Sequence, residues 1–202
     1  MTVSEFAAVV LAGGAARRMG GAAKPSVPVG GVPLLARVLE AAADARPRIV
    51  VGPLELTPLL PHGVSLTVEQ PPYGGPVAAL AAGVGLLEPT TDHVAVLAAD
   101  LPFLNRTVLF GLRRALAGEP DADAAVLLDA DGRAQWLCAV WRLPALTSRL
   151  RGFGDPYHRA MRDLVEGAAV VRVPAPTPDG PPVWFDCDTE DDVRRAEEWA
   201  RE

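Results

Sequence analysis

Residues 6–24, "FAAVVLAGGAARRMGGAAK", set an unbroken apolar run directly before a loop of glycines, arginines and one lysine. Continuous rather than alternating apolarity over residues 6–12 predicts a strand covered on both faces, as in a parallel sheet flanked by helices. A loop of small residues after such a strand lets backbone N–H groups approach an anion, and Arg18 and Lys24 add charges that suit phosphate oxygens. Of the 19 basic residues in the chain only Lys24 is a lysine. In a composition that uses arginine wherever a cation suffices, a lone lysine in such a loop points to a role.

Working outward, Val-rich apolar runs alternate with segments of helical period, the order expected of βα units around a mostly parallel sheet. Further strands are expected at residues 48–52, 65–69, 93–99, 124–129, 135–141, 169–173 and 182–185. Helices are expected at 33–44, 77–87, 107–117, 144–150, 156–166 and 189–201, the last with Thr189 as N-cap. "ADGR" reads as a tight turn around Asp131 and Gly132, and the proline-rich residues 174–182 as a surface loop. No repeat or linker divides the 202 residues, so one α/β domain spanning 1–202 is expected, with a core of ordinary size.

The net charge of −6, densest in "DCDTEDD" at 186–192, and the scattered arginines exclude a broad nucleic-acid footprint. A small anionic ligand fits better. Cys138 and Cys187 are far apart with no metal-type spacing, which predicts buried free thiols in a reducing compartment. The first residues carry no basic segment, and their apolar run is too short for a signal peptide or a membrane span. A cytoplasmic location without membrane contact is the expectation.

Ligands of open α/β sheets sit at the carboxyl ends of strands. Four groups fall there: the glycine loop, "EQPPYGGP" (69–76), Asp100 at the end of "HVAVLAAD", and "DCD" (186–188). The loop is not a Walker A motif, because Lys24 follows Ala23 and precedes Pro25, and it lacks the G-x-G-x-x-G spacing of a dinucleotide site. Asp100 reads either as a metal ligand or as a cap for the following turn. Asp186 and Asp188 read equally as ligands or as an acidic cluster ahead of the last helix. His62, His93 and His158 are expected to be structural or on the surface.

"LAGGAARRMGGAAK" resembles the signature of MobA-type nucleotidyltransferases, L-A-G-G-x-x-x-R-M-G-x-x-K, and most closely that of the molybdenum cofactor guanylyltransferases. "GGPVAALAAGV" (74–84), "VLAADLPFL" (96–104) and "FDCDTEDDVRRAE" (185–197) are similar to three further segments of the family, in the same order. The resemblance implies a Rossmann-like three-layer α/β/α sandwich of the nucleotide-diphospho-sugar transferase type. It also implies Mg²⁺-dependent transfer of GMP from GTP to the phosphate of molybdopterin, with release of pyrophosphate. Leu11, Ala12 and Gly13 would contact base and ribose, Gly14 and Arg18 the phosphates, and Lys24 the triphosphate. Asp100 and Asp188 would hold the metal, and Gly52, Gln70 and Gly75 would add nucleotide contacts. Arg18, Lys24 and Asp100 are thus the expected catalytic set, and transient contact with other enzymes of cofactor synthesis is implied.

Three places depart from the family's pattern. Ala23 stands where aspartate commonly precedes the lysine, and Gln70 where aspartate often follows the third strand. Asp186, Asp188 and Glu190 replace common Asn, Asn and Pro. An aspartate at position 70 could accept from the N1–H and exocyclic amine of guanine, whereas glutamine offers one donor and one acceptor. The same fold could therefore carry cytidylyl or other NTP transfer to another phosphorylated acceptor, or nucleotide binding without turnover.

Overall fold

The computed structural model describes residues 5–13, 23–176 and 180–201. Strand β1 (Phe6–Leu11) is buried along its whole length, and its side chains divide by parity between two cores. Phe6, Ala8 and Val10 belong to one, Ala7, Val9 and Leu11 to the other, as the two-residue repeat of a strand requires. Two cores on one strand mean a sheet covered by helices on both faces.

The remaining strands are β2 (Pro28–Val29), β3 (Val32–Pro33), β4 (Arg48–Val51), β5 (Val64–Thr67), β6 (His93–Ala98), β7 (Ala124–Leu128), β8 (Ala134–Arg142) and β9 (Val170–Pro174). The helices are α1 (Leu34–Ala41), α2 (Pro76–Val84), α3 (Arg106–Gly118), α4 (Leu143–Gly152), α5 (Met161–Val165) and α6 (Glu190–Trp199). Seven strands form one sheet in the order β5-β4-β1-β6-β8-β7-β9, and β2 pairs with β3 in a separate hairpin. β8 runs antiparallel to both its neighbours, while every other pair in the large sheet is parallel. The expected mostly parallel three-layer sandwich is thus the observed one.

Helix α1 buries Leu35, Val38 and Leu39 and α3 buries Leu109, Leu112 and Leu116 on the first core. The i, i+3, i+4, i+7 spacing places each set on one helix face. Helices α2, α4 and α5 close the second core through Leu80, Leu146 and Leu164, each without exposed surface. Each such leucine contributes roughly 2 kcal/mol by its removal from water. Asn105 caps α3, its side-chain oxygen accepting the Val108 N–H at 3.1 Å.

The expected strand at 182–185 is instead a turn, in which the Phe185 N–H donates to the Pro182 carbonyl at 3.0 Å. Pro181 and Pro182 lack the N–H donors a ladder needs, and the apolar Val183 and Phe185 pack into cores without pairing. The helix expected at 156–166 shrinks to α5, because the Asp155 carboxylate captures the Tyr157 N–H at 2.9 Å and His158 has φ 58. A side chain that offers the backbone a turn competes with a helix start. The hairpin β2–β3, not among the expected elements, turns at "VGGV", where Gly30 and Gly31 both have positive φ, the requirement of a tight two-residue turn. Among the described residues no helix is long and apolar enough to cross a membrane. Residues 177–179 of the proline-rich loop lie outside the described residues.

Candidate functional site

At the carboxyl edge of the sheet, ladder contacts run past the strand ends. The Ala12 N–H donates to the Val51 carbonyl at 2.8 Å, the Ala99 N–H to Leu11 at 3.1 Å, and the Gly52 N–H to Thr67 at 2.9 Å. The loops leaving β1, β4, β5 and β6 therefore start in fixed register. Gly52 lies so close to Ala12 that a Cβ there would stand 3.1 Å from the Ala12 backbone. The side chains of Leu11 and Ala12 are buried, which leaves their backbone as the surface they present at this edge.

Lys24 opens a single 3-10 turn, Lys24–Ser26, whose Pro25 is buried. Ser26 Oγ donates back to the Ala23 carbonyl at 2.7 Å, and Arg37 of α1 fixes the hairpin that follows. Its Nε and Nη2 donate to the Val29 carbonyl at 2.9 and 2.6 Å, and its Nη1 to the Pro102 carbonyl at 3.4 Å. One guanidinium thus ties the segment after Lys24 to the loop after Asp100.

The closing segment is pinned to the same loop. The Cys187 N–H donates to the Asp100 carbonyl at 3.2 Å. Phe185 packs edge-on against Trp199, ring centroids 5.0 Å apart, and Phe103 against Trp199 at 5.8 Å. Thr189 caps α6 as expected, accepting the Asp192 N–H while its own N–H donates to Asp192 Oδ2 at 2.8 Å, a reciprocal capping box.

These constraints bring three of the expected site residues together. Lys24 Nζ donates to Asp100 Oδ2 and, at 2.6 Å, to Asp188 Oδ1. Lys24 and Asp100 are 17% and 21% exposed, whereas Asp188 is 72% exposed. Burial alone would lower the pKa of the lysine, but the charges and hydrogen bonds of Asp100 and Asp188 outweigh it and raise the pKa above its ordinary 10.5. The Asp186 carboxyl is raised by burial first and then by the charges of Asp188 and Asp100. Burial, with help from Asp100 and Asp192, pushes the Cys187 thiol up to about 12. Both cysteines are buried and free, as expected.

The other expected residues are distributed along the same edge. Gly13 follows β1. Gln70, exposed, follows β5, and Gly75, with φ 90, is the N-cap of α2. Gly14 and Arg18 lie outside the described residues. Glu69 is buried and accepts the Tyr73 N–H at 3.1 Å. Among the described residues no group of three or more His, Cys, Asp or Glu side chains converges as a metal cage. Asp100 and Asp188 supply instead two hard oxygen donors aimed at one cation position, held here by the lysine ammonium. Mg²⁺ is commonly bound by one or two carboxylates together with substrate phosphates, so this donor set fits it.

Residues 8–173 match the model of the MobA-like NTP transferase domain. The chain belongs to this family. Curated relatives include the molybdenum cofactor guanylyltransferase of Bradyrhizobium sp., 30% identical over 145 residues, covering 69% of this chain and 68% of the relative. A probable molybdenum cofactor guanylyltransferase of Mycobacterium bovis is 32% identical over 175 residues, covering 83% of each. Molybdopterin-guanine dinucleotide biosynthesis protein A from Archaeoglobus fulgidus superposes with a TM-score of 0.71 at 23% identity, over 96% of this chain and 97% of that one. As a MobA-like NTP transferase the chain is a nucleotidyltransferase, and its sheet edge is the candidate active site.

Two residues that matter to this geometry were not found from sequence. Arg37 acts on backbone carbonyls distant in the chain and looks like any arginine on a helix surface. Asp155 has a signal in "GDP", a turn sequence directly before the expected helix at 156–166.

Proposed function

We propose that the protein transfers GMP from GTP to the phosphate of molybdopterin and releases pyrophosphate. The observation that carries this reading is the convergence of Lys24, Asp100 and Asp188 at the strand ends of a MobA-like fold. The names of the curated relatives support guanylyl transfer and a molybdenum cofactor acceptor.

In the reaction an oxygen of the acceptor phosphate bonds to the α-phosphorus of the nucleotide, and the bond from that phosphorus to the oxygen bridging to the β-phosphate breaks. Both reactants are anions, so neutralising charge contributes more than proton transfer. A phosphate acceptor is ionised at neutral pH and needs no general base. The Cys187 thiol, its pKa pushed up to about 12, stays protonated and takes no part.

The raised pKa of Lys24 keeps its ammonium charged at any working pH, and we assign it to the triphosphate. The backbone at Leu11, Ala12 and Gly13 is assigned to base and ribose, with Gly14 and Arg18 of the loop on the phosphates. Gly52 and Gly75 allow close backbone approach along the same edge. Asp100 and Asp188 would hold Mg²⁺. When bound, it would supply neutralisation of the phosphate oxygens and of the departing pyrophosphate. Arg37 acts as a positioning residue, holding the lysine hairpin against the loop that follows Asp100.

The test is the mass of the product. Incubation with GTP, MgCl₂ and molybdopterin should give an acceptor heavier by one GMP unit; unmodified acceptor beside intact GTP would contradict the proposal.

A further inference from the structure

A cavity of about 320 Å³ opens beyond the end of β5, between the flank of α2 and the segment after α4. Val68, Ala78 and Ala82 give it apolar walls, Tyr157 an aromatic one, and Gln70 and Asp155 its polar groups. Asp155 Oδ1 accepts the Tyr157 N–H at 2.9 Å. Neither Asp155 Oδ2 nor the Gln70 amide takes a partner among the described residues. The cavity thus faces solvent with an acceptor-only carboxylate and an amide that can both donate and accept.

The carboxylate stands on a fixed segment. The His158 N–H donates to the Gly74 carbonyl at 2.6 Å, and a Cβ on Gly74 would lie 2.7 Å from the Tyr157 ring. Tyr73 and His158, both non-glycine residues with positive φ, flank this contact. Backbone held in such conformations clusters where geometry serves a site. In the sheet order β5 is three places from β6, so at roughly 4.8 Å per strand the cavity lies about 14 Å along the edge from the strand that leads into Asp100. That is the scale of a nucleotide laid with its phosphates at Lys24 and its base at the edge.

We propose that Asp155 reads a 2-amino-4-oxopyrimidine edge in this cavity and supplies the carboxylate that Gln70 does not. This rests on the reading of the protein as a guanylyltransferase. A ring N–H beside an exocyclic amine presents two adjacent donors to one carboxylate, and the neighbouring oxo group can accept from the Gln70 amide. Adenine and cytosine turn a ring nitrogen lone pair toward the same carboxylate and are repelled. A pocket built to pair with specific donors rejects analogues that lack them strongly. Guanine carries this edge, and so does the pterin of the proposed acceptor. Asp155 is therefore a specificity-determining residue for one of these two rings.

Calorimetric titration of the whole chain with GTP, ITP and CTP in MgCl₂, and separately with pterin, distinguishes them. Asp155→Asn keeps an acceptor for the Tyr157 N–H, and an unchanged melting temperature would verify the fold. If guanine is the occupant, the variant loses roughly 10- to 100-fold in GTP affinity, and the wild-type preference for GTP over ITP collapses because ITP lacks the 2-amino group. Adding Gln70→Asp to Asp155→Asn then restores GTP binding. If the pterin is the occupant, the same loss and rescue appear with pterin while GTP binding is unchanged. A variant that binds both GTP and pterin like the wild type overturns the inference. A wild-type protein that prefers CTP to GTP overturns the guanylyl reading instead, whatever Asp155→Asn does.

Discussion

Asp188 Oδ1 lies 2.6 Å from Lys24 Nζ across 164 residues of chain. The contact exists because the backbone of Cys187 is bonded to Asp100, whose own carboxylate holds the other side of the same ammonium. The lysine is thus the counter-charge of a small acidic edge.

Removing that charge should cost stability as well as ligand. Lys24→Met removes the ammonium that Asp100 and Asp188 share, and with Lys24 and Asp100 largely buried the expected loss is about 1–2 kcal/mol. In a chain of this size that corresponds to a melting temperature lower by roughly 3–6 °C. Lys24→Arg should recover most of the stability in thermal melts. Calorimetry should show GTP affinity lost in Lys24→Met.

The raised pKa of Asp186 makes its ionised form a liability in the folded protein. The native state holds that proton more tightly than the unfolded chain does, so stability falls as pH rises from the ordinary 3.8 through the raised value. Asp186→Asn should therefore be more stable than the wild type in urea melts at pH 7. The difference should vanish below pH 3.8, where both side chains are neutral. For Lys24 the pH dependence has the same sign, although there the fold favours the charged form: the contribution is complete below 10.5 and is lost as pH climbs through the raised folded value.

The Cys138 and Cys187 thiols are both pushed up to about 12 by burial, Cys187 with acidic neighbours in addition. Neither thiol should react with a disulfide reagent at pH 8 while the chain is folded, and both should react once urea unfolds it. Rapid labelling of the native protein would contradict the packing of Cys187 against the Asp100 loop.

Gly74→Ala should loosen the clamp beside α2. The added methyl would meet both Ala78 Cβ and the Tyr157 ring at 2.7 Å, an overpacking that costs about 1–3 kcal/mol. Thermal melts should register the loss, whereas Gly132→Asn, in a turn with open space around it and with φ 77, should move the midpoint far less.

Much of the fold was legible because its central strands are unambiguous. Residues 6–12 and 94–99 are apolar without interruption, and β1 and β6 prove to be adjacent and buried. Lys24, Asp100 and Asp188 were legible as candidates because each ends or follows a recognisable segment, but their meeting at one point needed the tertiary contacts of Cys187 and Arg37. The turn at 182–185 imitated a strand, since apolar and aromatic residues there serve packing while the prolines remove the ladder donors. Asp155 stayed hidden for a related reason: a carboxylate that captures a backbone N–H two residues on delays a helix that periodicity alone would start at residue 156.

Guanylyl transfer at this edge is read out by pyrophosphate release from each of the four NTPs in MgCl₂, with and without molybdopterin, for the wild type and for Asp100→Asn. Release with GTP should depend on the acceptor and be roughly a hundredfold slower in the variant, because charge neutralisation at this edge carries the rate. Release with CTP alone, or release from GTP that Asp100→Asn leaves unchanged, would contradict it.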